Sequence, residues 1–277
     1  MNGLRIWVPH PSPTFLEPSC GDGNFLVAIL ARKLDSVAEA FDAGTLPVGI
    51  HSDALVFHGL EAIASIYAVD ISVDFLEDAI ADVQRKHPLL DVAGVGLDFS
   101  SELQLPPDLV QGRPVFFYPG SSIGNFTPVQ ALQFLRQVRA AALGGGLLIG
   151  VDLVKPLEIL EPAYDDALGV TAAFNKNLLL HLNRLIGSDF RVQDWAHRAF
   201  FNAGLSRIEM HLQAVREVTL RWPGAQRQFR AGEGIHTENS YKYRAPDFDA
   251  LLRQAGFAQT RVWQDARGWF AVFWACD

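Results

Sequence analysis

The chain has 277 residues, 49% of them apolar, which is enough for a full core in one large or two modest domains. Its 23 Lys and Arg against 31 Asp and Glu leave a formal charge of -8, lacking the basic footprint that displaces phosphate counterions, so DNA or RNA is disfavoured as a partner. Cys20 and Cys276 supply neither a disulfide framework nor a metal-ligand pair. The start MNGLRIWVPHPSP lacks the apolar core of a signal peptide, and runs such as Gly146 to Val154 fall far short of a membrane span, so the expectation is a monomeric cytoplasmic protein with no metal and no membrane partner.

In chain order, Thr14 to Glu17 reads as a strand, Pro18-Ser19-Cys20-Gly21-Asp22-Gly23 as a glycine-rich elbow, and Asn24 to about Phe41 as a helix. A Gly- and Pro-bearing connector leads to a second helix, Ala54 to Ala64, and to a strand, Ile66 to Val69, ending at Asp70. The alternation continues with a helix from Val73 to Lys86, a strand near Val92 to Val95 followed by Asp98-Phe99, and a buried strand from Pro114 to Tyr118. Thr127, Pro128 and Gln130 have the pattern of an N-cap, first-turn proline and capping-box partner for the next helix. Leu147 to Val154, after three glycines, is almost wholly apolar, as a parallel strand covered on both faces should be.

From Pro156 to about Arg244 the pattern changes. Helices are expected at Leu157 to Ala167 and Ala172 to Leu185, then an antiparallel pair of Arg207 to Leu212 with Glu217 to Trp222, then the segment Phe229 to Tyr243. The tail predicts a helix, Asp247 to Ala255, stopped by Gly256, and two strands, Phe257 to Trp263 and Trp269 to Trp274. The fold class is therefore α/β, a Rossmann-like and mostly parallel sheet formed by residues 1–155 and 245–277, with an inserted α+β subdomain at 156–244.

Three strand ends carry groups suited to a nucleotide. Glu17, Gly21 and Gly23 surround the first elbow, where glycines let the backbone approach a ligand and the next helix offers free amides. Asp70 closes the second strand, where a carboxylate can accept both ribose hydroxyls; Asp98 and Phe99 follow the third, where a carboxylate and a ring could hold an adenine. Taken singly, each could be a turn or a cap. A nicotinamide fingerprint fails because Leu26 stands where its third glycine belongs, and no GK[ST] marks a P-loop.

From Asp70 onward the chain resembles the histidine N-alpha-methyltransferase family of ergothioneine biosynthesis, in FFYPGSSIGNFTP (116–128), GVDLVK (150–155), AYDDALGVTAAFN (163–175), RIEMHL (207–212) and HTENSYKY (236–243). That resemblance implies S-adenosylmethionine as cofactor and histidine as substrate. It implies that Gly120, Asn125 and Tyr164 grip the amino and carboxylate groups, with Asn125 and Tyr164 nearest the chemistry. Thr171 and Met210 would line the pocket, and Glu238 with Ser240 would hold the imidazole. The residue chemistry agrees, since an amide both donates and accepts, a phenol donates to a carboxylate, and a carboxylate accepts from an imidazole N–H.

FLEPSCGDGNFLVAIL with IYAVDIS resembles instead the cofactor half of amino-methyltransferases acting on adenine in DNA, which suggests a join near Asp70. Two other readings follow: a cofactor-binding chimera with an incomplete histidine pocket, and a DNA adenine methyltransferase. The second lacks its chemistry, because Gly120 to Asn125 stands where an Asn or Asp, two prolines and an aromatic would hold a flipped base.

Overall fold

A computed structural model describes residues 15–17, 66–70, 73–86, 92–97, 103 and 113–277. The elbow residues Gly21 and Gly23, the pair Asp98 and Phe99, and the helices expected before Ile66 lie outside these residues.

The main sheet has seven strands: β1 (Phe15–Glu17), β2 (Ile66–Asp70), β3 (Val92–Gly96), β4 (Val115–Tyr118), β5 (Gly146–Asp152), β11 (Gln259–Gln264) and β12 (Phe270–Cys276), in the spatial order β11-β12-β5-β4-β1-β2-β3. β1 pairs in parallel with both β2 and β4. Strand order thus reverses at β1, and the crevice beyond the carboxyl ends of β1 and β4 is where open α/β sheets bind ligands. β12 runs antiparallel between β5 and β11, so it is the single reversed strand of the sheet's described strands.

Helices cover the sheet with apolar stripes at helical spacing. α1 (Val73–Lys86) buries Leu76, Ala79 and Val83, and Leu76 and Ile80 press on Gly94 of β3. α2 (Pro128–Ala141) buries Ala131, Phe134, Leu135 and Val138, an i, i+3, i+4, i+7 set. Its Thr127 cap and Gln130 form the expected reciprocal capping box. These side chains meet Phe116, Tyr118, Leu147, Ile149 and Val151 from β4 and β5 in one core, which also takes Phe248 and Leu252 from α5 (Ala245–Ala255). Truncating Phe134, 2% exposed, to alanine would cost about 3–5 kcal/mol.

Between β5 and α5 the chain leaves the sheet. α3 (Leu157–Tyr164) and α4 (Val170–Ile186) precede an antiparallel sheet of β6 (Trp195–Asn202), β7 (Arg207–Ala214) and β10 (Gly234–Tyr241), in the order β10-β7-β6. The chain departs and returns at one place: Tyr243 N–H donates to the Asp152 carbonyl and Val154 N–H to the Tyr243 carbonyl.

The expected pairing of residues 207–212 with 217–222 does not occur. β7 pairs with β6 and β10, while β8 (Val218–Trp222) pairs with β9 (Ala225–Phe229) in a separate ribbon. Two contacts explain the detour. The amides of Ala214 and Val215 are already bonded to Glu233 and Asp194, and Pro223-Gly224, with Gly224 at φ 84, closes β8 onto β9 in a tight turn. The strand β6 was not anticipated because most of its residues are partly buried on both faces, which leaves no polar-apolar alternation in the sequence, although Trp195 at its start is 1% exposed.

Candidate functional site

The loop after β4 folds back toward β10. Gly120 and Asn125 are exposed on it, and Ser122–Asn125 forms a single 3-10 turn entered through Ser121 in the left-handed region. Gly124 lies against β10 so closely that a Cβ there would stand 2.9 Å from the Tyr241 carbonyl oxygen. Ser121 Oγ accepts the Asp152 amide at 2.8 Å, which fastens the loop to the carboxyl end of β5.

Asp152 then begins a polar network. Its carboxylate takes Lys155 on one oxygen and Lys242 Nζ, at 2.9 Å, on the other. Lys242, 3% exposed, also donates to the Tyr164 hydroxyl at 2.7 Å and to Ser240 Oγ at 2.8 Å, and those two hydroxyls are 2.9 Å apart. Tyr164 is the last residue of α3, and its carbonyl accepts from His197 Nε2 at 2.8 Å. The other ring nitrogen, Nδ1, is 2.9 Å from the buried Asn175 amide nitrogen, which fixes both the histidine ring and the end of α3.

The inner face of the β6-β7-β10 sheet completes the surroundings. Glu238 lies directly opposite Met210, and Ser240 opposite Ile208, so all four share that face. Met210 is 3% exposed and packs with Leu160, Ile208 and Tyr164. Glu238 is half-buried; burial pushes its carboxyl above the usual carboxylate range, and the Lys242 charge partly offsets the push. The structure thus brings Tyr164, Met210, Glu238 and Ser240 together beneath the Gly120–Asn125 loop. Thr171 stands apart from this network in the first turn of α4, where its amide donates to Asp166 at 2.8 Å. Bonds from the Thr171 and Val170 amides and the Thr171 hydroxyl bring Asp166 down to about 2.

Sequence reasoning did not single out Lys242, Asp152, His197 or Asn175. Lys242 and Asp152 stand in HTENSYKY and GVDLVK, and the available signal was an aspartate ending the apolar run 147–151 and a lysine between two tyrosines, where an unpaired charge would be costly.

The outer face of the same sheet carries Glu209, His211 and His236, whose ligating atoms lie within 4.8 Å of one another. Their geometry suits a ring stack more than a cation cage. The imidazoles are 4.5 Å apart and 15° from parallel, so their lone pairs occupy separate planes, and Arg207 and Asn202 already hold Glu209 Oε1.

At the reversal of the main sheet, Glu17 closes β1 and Asp70 closes the adjacent parallel β2. Acidic residues at neighbouring strand ends supply the acceptors that a ribose diol requires, so the residue types present fit an adenosyl group. A family described as histidine-specific, S-adenosylmethionine-dependent methyltransferase matches residues 27–276. The chain belongs to that family. It is an S-adenosylmethionine-dependent methyltransferase of Rossmann-like α/β fold.

The histidine N-alpha-methyltransferase of Mycolicibacterium smegmatis is 36% identical over 268 residues, covering 96% of this chain and 82% of the relative. Ergothioneine biosynthesis protein 1 of Schizosaccharomyces pombe is 28% identical over 69% of this chain and 26% of its own length. A 4-dimethylallyltryptophan N-methyltransferase of Aspergillus fumigatus is 26% identical over 94% of this chain and 82% of its own. The family match runs through Asp70 and begins at residue 27, so no boundary falls at the expected join. No helix among the described residues is long and apolar enough to cross a membrane.

Proposed function

We propose that the protein transfers methyl groups from S-adenosylmethionine to the α-amino nitrogen of free L-histidine, stepwise to the trimethylated betaine hercynine of ergothioneine biosynthesis. It acts as a monomer, without nucleic-acid or membrane partners. The observation that carries this reading is the half-buried Glu238 on one sheet face with the Tyr164–Ser240–Lys242 cluster, below the loop that ends at Asn125. Glu238 with Ser240 would hold the imidazole ring, and the Tyr164 hydroxyl would donate to the carboxylate of the amino-acid headgroup.

The bound cofactor supplies an electrophilic methyl on a sulfonium. Glu17 and Asp70, at the carboxyl ends of β1 and β2, would hold its ribose and amino-acid portions, and Gly21, Gly23, Asp98 and Phe99 are further cofactor residues on the ground of the sequence alone. The protein's part in the displacement is alignment and exclusion of water: the amine must arrive neutral, with its lone pair in line with the methyl group. Asn125, exposed at the end of the loop, would orient that amine. Met210 and the apolar cluster around it keep the sheet face dry. On this reading residues 1–155 and 245–277 would form the cofactor half and the insertion 156–244 the substrate half.

Labelled cofactor incubated with each common amino acid, tryptophan included, tests the proposal. Label in histidine, in up to three successive methyl additions, is expected. Label confined to DNA or to another amino acid overturns it.

A further inference from the structure

β10 does not keep one register along β7. His236 stands opposite His211 and Glu238 opposite Met210, so Thr237 has no partner across the pair and forms a β-bulge. One extra residue exchanges the faces of every side chain beyond it. Gly234 and His236 lie on the outer face, opposite Gln213 and His211, whereas Glu238 and Ser240 lie on the inner face, opposite Met210 and Ile208. Without the bulge the register of His236 with His211 would continue, and Glu238 would fall opposite Glu209, a pairing that like charges oppose. Asn239 would then fall opposite Ile208, and the inner face would hold neither Glu238 nor Ser240.

Two side chains tie the bulge down. The Thr237 hydroxyl donates to the Met210 carbonyl at 3.0 Å, and His236 Nε2 lies 3.1 Å from the Glu238 carbonyl. The threonine bond crosses the strand pair to Met210, the residue that Glu238 faces, so it fixes Glu238 against its opposite number.

We infer that Thr237 is a positioning residue: its bulge turns Glu238 and Ser240 onto the inner face of the sheet, and its hydroxyl locks Glu238 where it meets the ring of the substrate. This rests on the histidine reading above. Thr237 acts through Glu238 and not on the substrate.

The test is a double-mutant cycle on kcat/KM for histidine, with the whole chain and saturating S-adenosylmethionine. Thr237→Val keeps the shape and loses the hydroxyl. It is expected to lower kcat/KM roughly 3- to 10-fold, the worth of one neutral hydrogen bond, while Thr237→Ser stays within about twofold of wild type. In Glu238→Ala protein the carboxylate to be aimed is gone, and adding Thr237→Val should change kcat/KM by less than about twofold. Should Glu238→Ala show no turnover, Glu238→Gln takes its place, and the Thr237→Val loss there should be smaller than in wild type. An equal fold loss in both backgrounds overturns the inference, because a merely structural residue acts alike with or without the carboxylate. An unchanged kcat/KM in Thr237→Val alone overturns it too. If Thr237→Val does not fold, Thr237→Ala is run through the same cycle, and failure of both to fold overturns the inference, since the residue then serves the fold. Wild type that methylates no histidine, or Glu238→Ala as active as wild type, overturns the histidine reading itself, and the inference with it.

Discussion

Replacing Glu238 with glutamine separates what this side chain does for the ligand from what it costs the fold. Glu238 is half-buried, and the influences on its ionisation are burial, which raises its pKa, and the more distant Lys242 charge, which lowers it. A carboxyl whose folded pKa is raised binds its proton more tightly in the folded state. Its contribution is therefore present at acid pH and is lost as pH rises through the ordinary carboxylate range to the raised value. Above that window the empty site holds an undercompensated carboxylate, worth about 1 kcal/mol of destabilisation once half exposure is allowed for. Glu238→Gln removes it and should raise Tm by about 2–4 °C at neutral pH. Against that gain, a charge-assisted bond to the imidazole becomes a neutral one, a loss of about 1–1.5 kcal/mol, or roughly 5- to 15-fold in histidine affinity. Wild-type affinity should also fall as pH drops through the raised Glu238 pKa, a limb that the glutamine variant lacks. Thermal melts of the empty protein and histidine titrations between pH 5 and pH 8 give both quantities. A lower Tm with unchanged histidine affinity would refute the reasoning, since it would mean that the carboxylate serves the fold and not the ligand.

The other expectations concern the frame around that site. Gly124→Ala places a methyl 2.9 Å from the Tyr241 carbonyl, and calorimetry should show histidine binding lost while S-adenosylhomocysteine still binds. At Gly150 a Cβ would stand 2.0 Å from the Pro119 carbonyl, inside the main sheet. Gly150→Ala should therefore cost at least the roughly 1–3 kcal/mol of an overpacked core and lower Tm measurably for cofactor-free protein. Asp166→Asn removes the charged acceptor of the Val170 and Thr171 amides, so hydrogen exchange at those two positions should accelerate. Glu209 is buried on the outer sheet face; burial opposes its ionisation, but bonds from Arg207, His211 and Asn202 outweigh it and bring the carboxyl from 4.5 to about 2. Its stabilisation is thus present above about pH 4.5 and lost as pH falls toward 2, and Glu209→Gln should flatten that limb in urea titrations at several pH values.

The parts of the fold that were legible in the amino-acid sequence are those where local rules act alone. Thr127, Pro128 and Gln130 announce the start of α2 because a capping box needs only neighbouring residues, and Gly256 ends α5 at φ 109 for the same kind of reason. β5 was visible as an apolar run because both its faces are covered. In the insertion the decisive contacts are remote. Val215 pairs with Asp194 and Ala214 with Glu233, and no local pattern shows that these amides are taken, so residues 217–222 read as the partner of 207–212 when they belong to another ribbon.

The site divides in the same way. Tyr164, Ser240 and Glu238 stood out through motifs, and their individual chemistry was legible, but what joins Tyr164 to Ser240 is a lysine 78 positions from the tyrosine. Lys242 lies within the HTENSYKY motif, but what it does there comes from burial, which turns a common surface cation into one that must find three acceptors. Those acceptors come from α3, β5 and β10, so the burial of a single ammonium ties the insertion to the strand end from which it departs. Glu238 and Ser240 stand two positions apart in β10, opposite Met210 and Ile208, so both side chains lie on one face of that sheet while the residue between them lies on the other.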